Sequence, residues 1–318
     1  MPLPLIDLAV SSRAGGDEEV ARTIDAACRD HGFFLVAGHG VDPGLVEGLV
    51  GLARDFFARP EVEKAEIAMS RGGMAWRGWF PVGGELTSGT PDRKEGIYFG
   101  SEAPMTGRPL EGPNLFPSQP SSWRTTLLEY LDAVTELGQR LVAAIERGLA
   151  LAPGELTDLT ADPLVLFRIF HYPPGEPGWG VGEHTDYGLL TILCQDDAGG
   201  LQVEVGGEWI DVPAEPDVFV CNIGDMLERA TSGSYRSTPH RVRNESDRDR
   251  ISMPFFLDPG WTSRVVPLVD GPARASGRWD GADPHLFEGT YGEYVMSKVS
   301  KVFPALGQEV LDRGDRRT

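Results

Sequence analysis

The sequence predicts a mainly β fold with flanking helices, in which a jelly-roll core follows an N-terminal α/β extension. Two observations support this fold class. The second half of the chain contains many short apolar or alternating runs, separated by glycine, proline or acidic turns, as in sandwiches and barrels. The chain also contains 40 glycines and 25 prolines, which favours many turns and short strands over long helical bundles. Because no internal repeat or long linker is evident, we expect one domain over residues 1–318.

Residues 1–120 are predicted to form the α/β extension. Apolar residues recur at helical spacing in two segments, and the second segment stops at Pro60. Short apolar runs precede each of these helices. The predicted elements are a strand at 4–8, a helix at 17–30, a strand at 32–36, a helix at 45–56 and a strand at 96–99.

A long helix is predicted next, over residues 121–155. Ser121 or Ser122 is placed to cap its start, and aliphatic residues maintain an apolar stripe along it. The jelly-roll core is predicted over 160–265 and a C-terminal helix over 284–305, with its periodic part at 291–302. The core strands are predicted at 164–170, 189–194, 201–205, 209–212, 218–223 and 251–257.

The chain is strongly acidic, with 48 acidic against 29 basic side chains and a formal net charge of -19. Nucleic acids and anionic membranes both require basic footprints, so we expect neither as a partner. An anionic substrate would need a local cluster of arginines. The three cysteines lack Cys-x-x-Cys spacing, and neither a basic leader nor an apolar run of membrane-spanning length is evident. These features fit a cytoplasmic enzyme in a reducing compartment, as they also fit many other folds, and the oligomeric state stays open.

One short motif in the core carries metal-binding side chains. His184 and Asp186 stand two positions apart, and in a strand such residues point to the same side. A third ligand must come from elsewhere, and His240 is the best candidate. Two imidazoles and one carboxylate on one face of an octahedron leave the other face open, as non-haem Fe(II) oxygenases require. The same ligands also suit zinc, so a zinc hydrolase is an alternative, although the chain has no His-Glu-x-x-His motif to supply a general base.

A potential carboxylate-binding pair follows this motif. Arg250 and Ser252 open an apolar run that is predicted to be a strand. The planar fork of arginine matches a carboxylate bidentately, and the serine hydroxyl adds a donor. Arg168 alternates in phase with Phe170 and Tyr172, so we expect it to face the interior of the core.

These motifs resemble those of the isopenicillin-N-synthase-like family of Fe(II)/2-oxoglutarate oxygenases, and the resemblance covers nearly the whole chain. The N-terminal signature of the family is matched by residues 32–41. Its core pattern is matched by Tyr172-Pro173-Pro174, His184-Thr185-Asp186, Asn222-Ile223-Gly224-Asp225, His240 and Arg250-Ile251-Ser252. The segment 222–225 is also interpreted as a turn between strands, with Asn222 a candidate to line the site. The resemblance implies a distorted double-stranded β-helix, in agreement with the predicted strands.

The resemblance also implies roles and a reaction. Fe(II), 2-oxoglutarate and O2 would yield succinate and CO2 while a C–H bond of the substrate is hydroxylated, with desaturation and ring closure as variants. Arg168 is expected near the oxoglutarate. The implied iron ligands are His184, Asp186 and His240, and the implied ligands of the distal oxoglutarate carboxylate are Arg250, Ser252 and Tyr172.

The loop over residues 76–87 resembles the corresponding part of bacterial ethylene-forming enzymes, in which a loop carboxylate helps to hold arginine. The chain departs from that pattern, because Lys301 and Phe303 stand at the positions of arginine and tyrosine contacts, and because Ser252 is present. We therefore expect hydroxylation of a small substrate, with cationic molecules as one candidate class. The predicted pocket residues are Trp79, Glu85, Thr87, Tyr187 and Phe303.

Three alternatives accompany the zinc hydrolase. An oxidase of the same fold that uses no oxoglutarate would carry the same Arg-x-Ser pair for another carboxylate. An ethylene-forming enzyme would fragment oxoglutarate instead of hydroxylating a substrate. A non-enzymatic jelly-roll binding module would not require three metal ligands together with Arg250 and Ser252.

Overall fold

The computed structural model describes residues 2–105, 107–175, 178–272, 283–304 and 307–308. Within these residues, helices flank two β-sheets. The strands are β1 (Leu5–Asp7), β2 (Phe33–Ala37), β3 (Gly78–Phe80), β4 (Glu95–Gly100), β5 (Leu164–Tyr172), β6 (Val181–His184), β7 (Leu190–Gln195), β8 (Leu201–Val205), β9 (Glu208–Val212), β10 (Phe219–Ile223), β11 (His240–Val242) and β12 (Arg250–Asp258). The helices are α1 (Gly16–Asp30), α2 (Pro43–Phe57), α3 (Glu61–Lys64), α4 (Ser122–Gly148), α5 (Asp225–Ala230) and α6 (Tyr291–Val302).

The larger sheet takes strands from both halves of the chain. Its order is β1-β2-β10-β7-β12-β5-β4-β3, and the smaller sheet has the order β6-β11-β8-β9. Strand β2 pairs antiparallel with β10, with Phe34 opposite Cys221. The C-terminal half therefore supplies the centre of the larger sheet, and the N-terminal strands extend it at both edges. The predicted mainly β architecture with flanking helices is confirmed.

Helix α4 covers one face of the larger sheet. The Tyr130 ring lies 5.3 Å from that of Phe167 on β5. Gly138 packs so closely on β12 that an added Cβ would lie 2.9 Å from Leu257. Side chains alternate along a strand, so the odd-numbered residues of β5 face this helix and the even-numbered ones face away from it. That second face is the wall of the site described below.

The structure differs from the sequence predictions at several elements. Helix α4 covers Ser122–Gly148 rather than 121–155, and Ser121 at its N-cap makes no side-chain capping bond. The C-terminal helix begins at Tyr291 rather than 284, and residue 305 of the predicted range lies outside the described residues. Strands β3, β6 and β11 and helices α3 and α5 have no counterpart in the predictions, because elements of three to six residues are too short to show a clear period.

Candidate metal and cosubstrate site

The three residues predicted to bind iron converge on one point. His184 ends β6, His240 begins β11, and the two are direct register partners in the smaller sheet. Asp186 Oδ1 lies 3.9 Å from His184 Nε2 and 3.8 Å from His240 Nε2. Asp186 follows the end of β6, so the loop after the strand, and not alternation within it, brings the carboxylate beside His184. Two imidazole nitrogens and one carboxylate oxygen at these separations could hold one iron ion with coordination positions left open.

Hydrogen bonds determine which nitrogen of each imidazole is available. His184 Nδ1 lies 2.8 Å from the Gly182 carbonyl oxygen, and His240 Nδ1 lies 3.2 Å from the Thr238 carbonyl oxygen. Because a carbonyl only accepts, Nδ1 carries the proton in each ring and Nε2 presents a lone pair to the metal position. Burial, and then the neighbouring His240, lower the pKa of His184. The ring is therefore neutral, as a metal ligand must be.

Asp186 is oriented by donors from two paired strands. Thr191 Oγ1 and Asn222 Nδ2 donate to Asp186 Oδ2 at 2.5 Å and 2.7 Å, which leaves Oδ1 for a metal. Burial acts to raise the pKa of Asp186, but the two histidines and these donors hold it below its usual value. The sequence analysis did not single out Thr191. Its direct pairing with Asn222 across β7 and β10 places it beside the carboxylate, and this pairing is visible only in the sheet register.

The loop that carries Asp186 is braced by the start of α5. The backbone N–H groups of Asp225 and Met226 donate to the carbonyl oxygens of Asp186 and Gly188 at 2.8 Å and 3.0 Å. The segment 222–225, which was predicted to be a turn between strands, is therefore the end of β10 and the beginning of α5. At Gly224 an added Cβ would lie 2.5 Å from the Gly188 carbonyl oxygen, so this close approach of two backbones requires glycine.

Helix α6 contacts the same loop through two carboxylates. Tyr294 Oη donates to Asp225 Oδ2 at 2.6 Å, and Tyr291 Oη donates to Asp258 Oδ2 at 2.5 Å. Asp258 in turn packs against Gly188, where an added Cβ would overlap its Oδ1. Burial raises the pKa of Asp258 to about 7. Two tyrosines one helical turn apart thus connect α6 to the loop of Asp186.

Arg250 is fully buried and has one nitrogen without a protein partner among the described residues. Its Nε donates to the Gly199 carbonyl oxygen and its Nη2 donates to Gln195 Oε1 at 3.1 Å, whereas Nη1 has no partner. Arg250 pairs with Tyr172 across β12 and β5, and the Tyr172 hydroxyl lies 3.3 Å from Ser252 Oγ. A buried donor without an acceptor costs about 1–3 kcal/mol, and more when it is charged. The three side chains therefore fit a carboxylate that would accept from all of them.

A cavity in front of the three metal-binding residues is walled by alternate residues of β5 and β12. It encloses about 840 Å³ of space, part of which is open to solvent. Tyr172 and Ser252 lie in its wall together with the metal-binding residues. Other polar residues in its wall are Glu85, Thr87, Lys94, Tyr98, Arg168, Tyr187 and Asp258.

Glu85 lies in this wall, as predicted for a pocket residue, but it is already paired. Lys94 Nζ lies 2.9 Å from Glu85 Oε2 and 2.5 Å from Asp92 Oδ2, and Tyr98 Oη donates to Glu85 Oε1. Thr87 Oγ1 donates to Asp92 at 2.5 Å. Burial acts to raise the pKa of Glu85, but Lys94 holds it below its usual value, so the pair is ionised. Lys94 and Tyr98 were not predicted from the sequence to lie in the pocket.

Two residues predicted for the pocket lie elsewhere. Trp79 pairs with Ile97 of β4 and its Nε1 donates to Glu95 Oε2 at 2.8 Å, on the face of β4 opposite the cavity. Phe303 packs edge-on against Tyr98, with ring centroids 5.5 Å apart, and does not reach the cavity wall itself. Strand alternation therefore turns Trp79 away from the cavity, and Phe303 supports a wall residue from outside.

Arg168 faces the cavity in phase with Phe170 and Tyr172. It lies four residues from Tyr172 along β5, a separation of about 13 Å at roughly 3.3 Å per residue. Arg168 therefore lies farther along the strand than the residues predicted to bind the distal oxoglutarate carboxylate, and its expected position near the oxoglutarate stays a prediction. There the Arg168 Cζ lies 4.4 Å from the ring centroid of Tyr98 and 4.7 Å from that of Phe256.

Both halves of the chain match families of known proteins. Residues 163–259 match the 2OG-Fe(II) oxygenase superfamily, and residues 3–119 match the family described as non-haem dioxygenase in morphine synthesis N-terminal. A probable iron/ascorbate oxidoreductase of Dictyostelium discoideum is 42% identical over 97% of each chain. A 1-aminocyclopropane-1-carboxylate oxidase of Dictyostelium mucoroides is 36% identical over 95% of each chain. A homoarginine-6-hydroxylase of Arabidopsis thaliana is 37% identical over 91% of each chain.

The fold has close counterparts among solved structures. A full-length Neurospora crassa protein, solved in complex with alpha-KG, matches with a TM-score of 0.79 at 26% identity, over 94% of this chain and 95% of that one. Within the described residues, every helix is too short or too polar to cross a bilayer. The double-stranded β-helix and the cofactors Fe(II), 2-oxoglutarate and O2, which the family resemblance implied, are confirmed. This chain belongs to the 2OG-Fe(II) oxygenase superfamily and is a non-haem dioxygenase.

Proposed function

We propose that this enzyme hydroxylates an unactivated C–H bond of a small molecule while 2-oxoglutarate and O2 are converted into succinate and CO2. The observation that carries this proposal is the buried Arg250 Nη1, which has no protein partner in the described structure and lies beside Ser252 and Tyr172 in the sheet that walls the metal site. A carboxylate of the cosubstrate would satisfy it. In this proposal the iron ligands are His184, Asp186 and His240.

Iron, with oxoglutarate and O2 bound, supplies the oxidising power that breaks the C–H bond. The protein orients the metal-binding side chains and the substrate, and it keeps water away from the reacting atoms. Thr191 and Asn222 hold Asp186 so that Oδ1 faces the metal, and the Gly182 and Thr238 carbonyls hold the two imidazoles. Apolar residues of β5 and β12 line part of the cavity and limit the water beside the metal position, which would protect a reactive centre from side reactions.

The substrate pocket in this proposal includes Glu85, Thr87 and Tyr187. Two of the relatives are named for amino acids that they act on, homoarginine and 1-aminocyclopropane-1-carboxylate, and this supports a small, amino-acid-like substrate. A cationic group of such a substrate would have to compete with Lys94 for Glu85, because the two already form an ion pair. The Glu85 end of the pocket is therefore polar and already contains a cation.

A second candidate is an oxidase of the same fold that needs no oxoglutarate. It is favoured by the 36% identity to a relative named 1-aminocyclopropane-1-carboxylate oxidase. In that case Arg250, Ser252 and Tyr172 would bind a different carboxylate. The ethylene-forming alternative makes a separate prediction, which is ethylene as a major product of oxoglutarate.

Succinate formation from 2-oxoglutarate by the iron-loaded enzyme tests the proposal, with and without a panel of amino acids. We expect slow succinate formation alone and a faster rate with a substrate, accompanied by a product heavier by one oxygen atom. Full substrate turnover in the absence of oxoglutarate would favour the oxidase instead. Ethylene in the headspace as a major product would favour the ethylene-forming reaction.

The net charge of -19 supports the further proposal that the enzyme binds neither nucleic acid nor anionic membranes. The cysteines Cys28, Cys194 and Cys221 are all buried and unpaired, which is consistent with a reducing compartment such as the cytoplasm.

A further inference from the structure

Arg168 is a cation in the cavity wall that has no acceptor among the described residues. Its Nε is buried without a hydrogen-bond partner, and its guanidinium forms no ion pair with any part of the chain that the structure describes. Its contacts are aromatic, with the rings of Tyr98 and Phe256 over the guanidinium carbon at 4.4 Å and 4.7 Å. Ring faces attract a guanidinium but do not accept from the N–H groups along its edge. Those donors are left for a ligand.

Each carboxylate that lines the cavity has a partner other than Arg168. Glu85 is paired with Lys94 and accepts from Tyr98. Asp186 accepts from two donors and faces the metal position, and Asp258 accepts from Tyr291 at 2.5 Å. Glu85 and Asp186 act on Arg168 through space, but no carboxylate among the described residues forms an ion pair with it, although a buried arginine requires a directly paired anion.

The distal carboxylate of oxoglutarate is not the missing anion. Its predicted site is formed by Arg250, Ser252 and Tyr172, about 13 Å along β5 from Arg168 at roughly 3.3 Å per residue. The aromatic rings on either side hold Arg168 at its own end of the cavity. One carboxylate cannot bridge both positions.

Tyr187 adds a second donor to the cavity wall. It lines the cavity in the loop next to Asp186, and its hydroxyl makes no hydrogen bond to the described residues. Arg168 and Tyr187 line the same cavity, so both can donate to one ligand inside it.

From these contacts we infer that Arg168 and Tyr187 bind a carboxylate of the substrate, so that the substrate is a small organic acid. The inference rests on the proposed function and specifies its substrate class. A guanidinium fork with one hydroxyl matches the two coplanar oxygens of a carboxylate. It also explains how an enzyme with a net charge of -19 accepts an anion, because the cation is supplied inside the cavity.

The experiment compares matched acids and amides as probes of the cavity. Hexanoate and hexanamide, phenylacetate and phenylacetamide, and norleucine and norleucinamide are titrated anaerobically into the enzyme loaded with Fe(II) and 2-oxoglutarate, and binding is measured by calorimetry. We expect at least one acid to bind about tenfold or more tightly than its amide. Equal binding of acids and amides, or binding of none of the acids, would overturn the inference.

Variants of Arg168 test whether this residue causes the tighter binding of the acid. Arg168→Gln should weaken binding of the preferred acid about tenfold or more, with a smaller loss in Arg168→Lys, which keeps the charge but not the fork. The matched control is Arg241→Gln, because Arg241 also lies between two rings, 4.2 Å from Trp179 and 3.9 Å from Trp209, outside the cavity. The control should bind the acid as the unchanged enzyme does, and urea unfolding verifies that each variant is folded.

The affinity for 2-oxoglutarate distinguishes a substrate-binding role of Arg168 from a cosubstrate-binding role. The Kd of 2-oxoglutarate, measured anaerobically, should change less than about threefold in Arg168→Gln. A rise as large as that caused by replacing Arg250 would assign Arg168 to oxoglutarate and overturn the inference. Failure of the unchanged enzyme to bind oxoglutarate or form succinate would instead contradict the proposed function itself, so the two failures are distinguishable.

Discussion

The Lys94 ammonium lies 2.9 Å from the Glu85 carboxylate inside the cavity wall, with both side chains almost fully buried. This ion pair changes the role of Glu85. A carboxylate that was predicted from the loop sequence to hold a cationic substrate already has a cation of its own, and Asp92 completes the cluster. Lys94 therefore limits how strongly the Glu85 end of the pocket can select a positive charge.

Replacing one partner of this ion pair should destabilise the protein more than replacing both partners. Lys94→Met leaves Glu85 buried without its cation, and we expect a loss of about 3–5 kcal/mol in the free energy of unfolding. The double variant Lys94→Met, Glu85→Gln should lose less than the sum of the single variants, because it removes both charges. Urea unfolding of the four proteins measures the coupling. Strictly additive losses would show that the ion pair has no stabilising interaction of its own.

Replacing Asn222 should weaken iron binding. Asn222→Ala removes one of two donors that orient Asp186, and loss of such an outer contact lowers metal affinity about 10- to 100-fold. Anaerobic Fe(II) titration measures the effect. The matched control is Asn114→Ala, because Asn114 is also a buried amide but binds Gly100 and Glu102 away from the site. Equal iron affinity in both variants would contradict the assigned role.

Replacing Arg250 should weaken oxoglutarate binding. A charge-assisted hydrogen bond in a buried site contributes about 1.5–3 kcal/mol, so Arg250→Ala should raise the Kd of oxoglutarate about 10- to 150-fold. Arg250→Lys should recover part of the loss, because it restores the charge without the fork. Anaerobic titration of the iron-loaded variants provides the values. An unchanged Kd would place the oxoglutarate elsewhere in the cavity.

His171, near the end of β5, should make the stability of the protein depend on pH. His171 Nδ1 lies 2.9 Å from Glu95 Oε1 and Nε2 lies 2.7 Å from Asp249 Oδ1, so both ring nitrogens face carboxylates. Burial acts to lower the pKa of His171, but these two hydrogen bonds outweigh it and raise the pKa above its ordinary value of 6.5. The resulting stabilisation is fully present below the unfolded-state pKa and is lost as pH rises through the folded-state pKa.

Replacing His171 should therefore lower the free energy of unfolding most at the acidic end of the range tested. The difference in the free energy of unfolding between the unchanged protein and His171→Gln should be largest near pH 6 and should decrease toward about pH 9. Asp249→Asn, which removes one of the two carboxylates, should show a weaker dependence of the same sign. A difference that stays constant from pH 6 to pH 9 would contradict the protonated state of His171.

Long alternating strands and motif residues could be predicted from the sequence, and short strands could not. The period of two along β5 correctly places Arg168 on the cavity face. Strands β6 and β11 have three or four residues and carry His184 and His240, whose polar side chains remove the apolar pattern that predicts a strand. Their pairing, which aligns the two imidazoles, is long-range and has no local sequence signal.

The pocket was the least predictable part, because it depends on which face each loop residue takes. An aromatic in a loop such as Trp79 fits a pocket or a core equally well, and only the pairing of β3 with β4 turns it toward Glu95. The position of Lys94 in the pocket could have been predicted from the sequence. It alternates with Gly96 and Tyr98, so it faces the same side as a buried tyrosine, and a charge at such a position requires a partner.

The contacts of α6 affect the order in which the enzyme matures. Tyr291 and Tyr294 hold the carboxylates that brace the loop of Asp186, yet they follow the metal-binding residues in the chain. During synthesis from the N-terminus, the three metal ligands are made before the helix that holds their loop in place. We therefore expect a nascent chain in which α6 has not yet docked to bind divalent metals more loosely than the folded protein does.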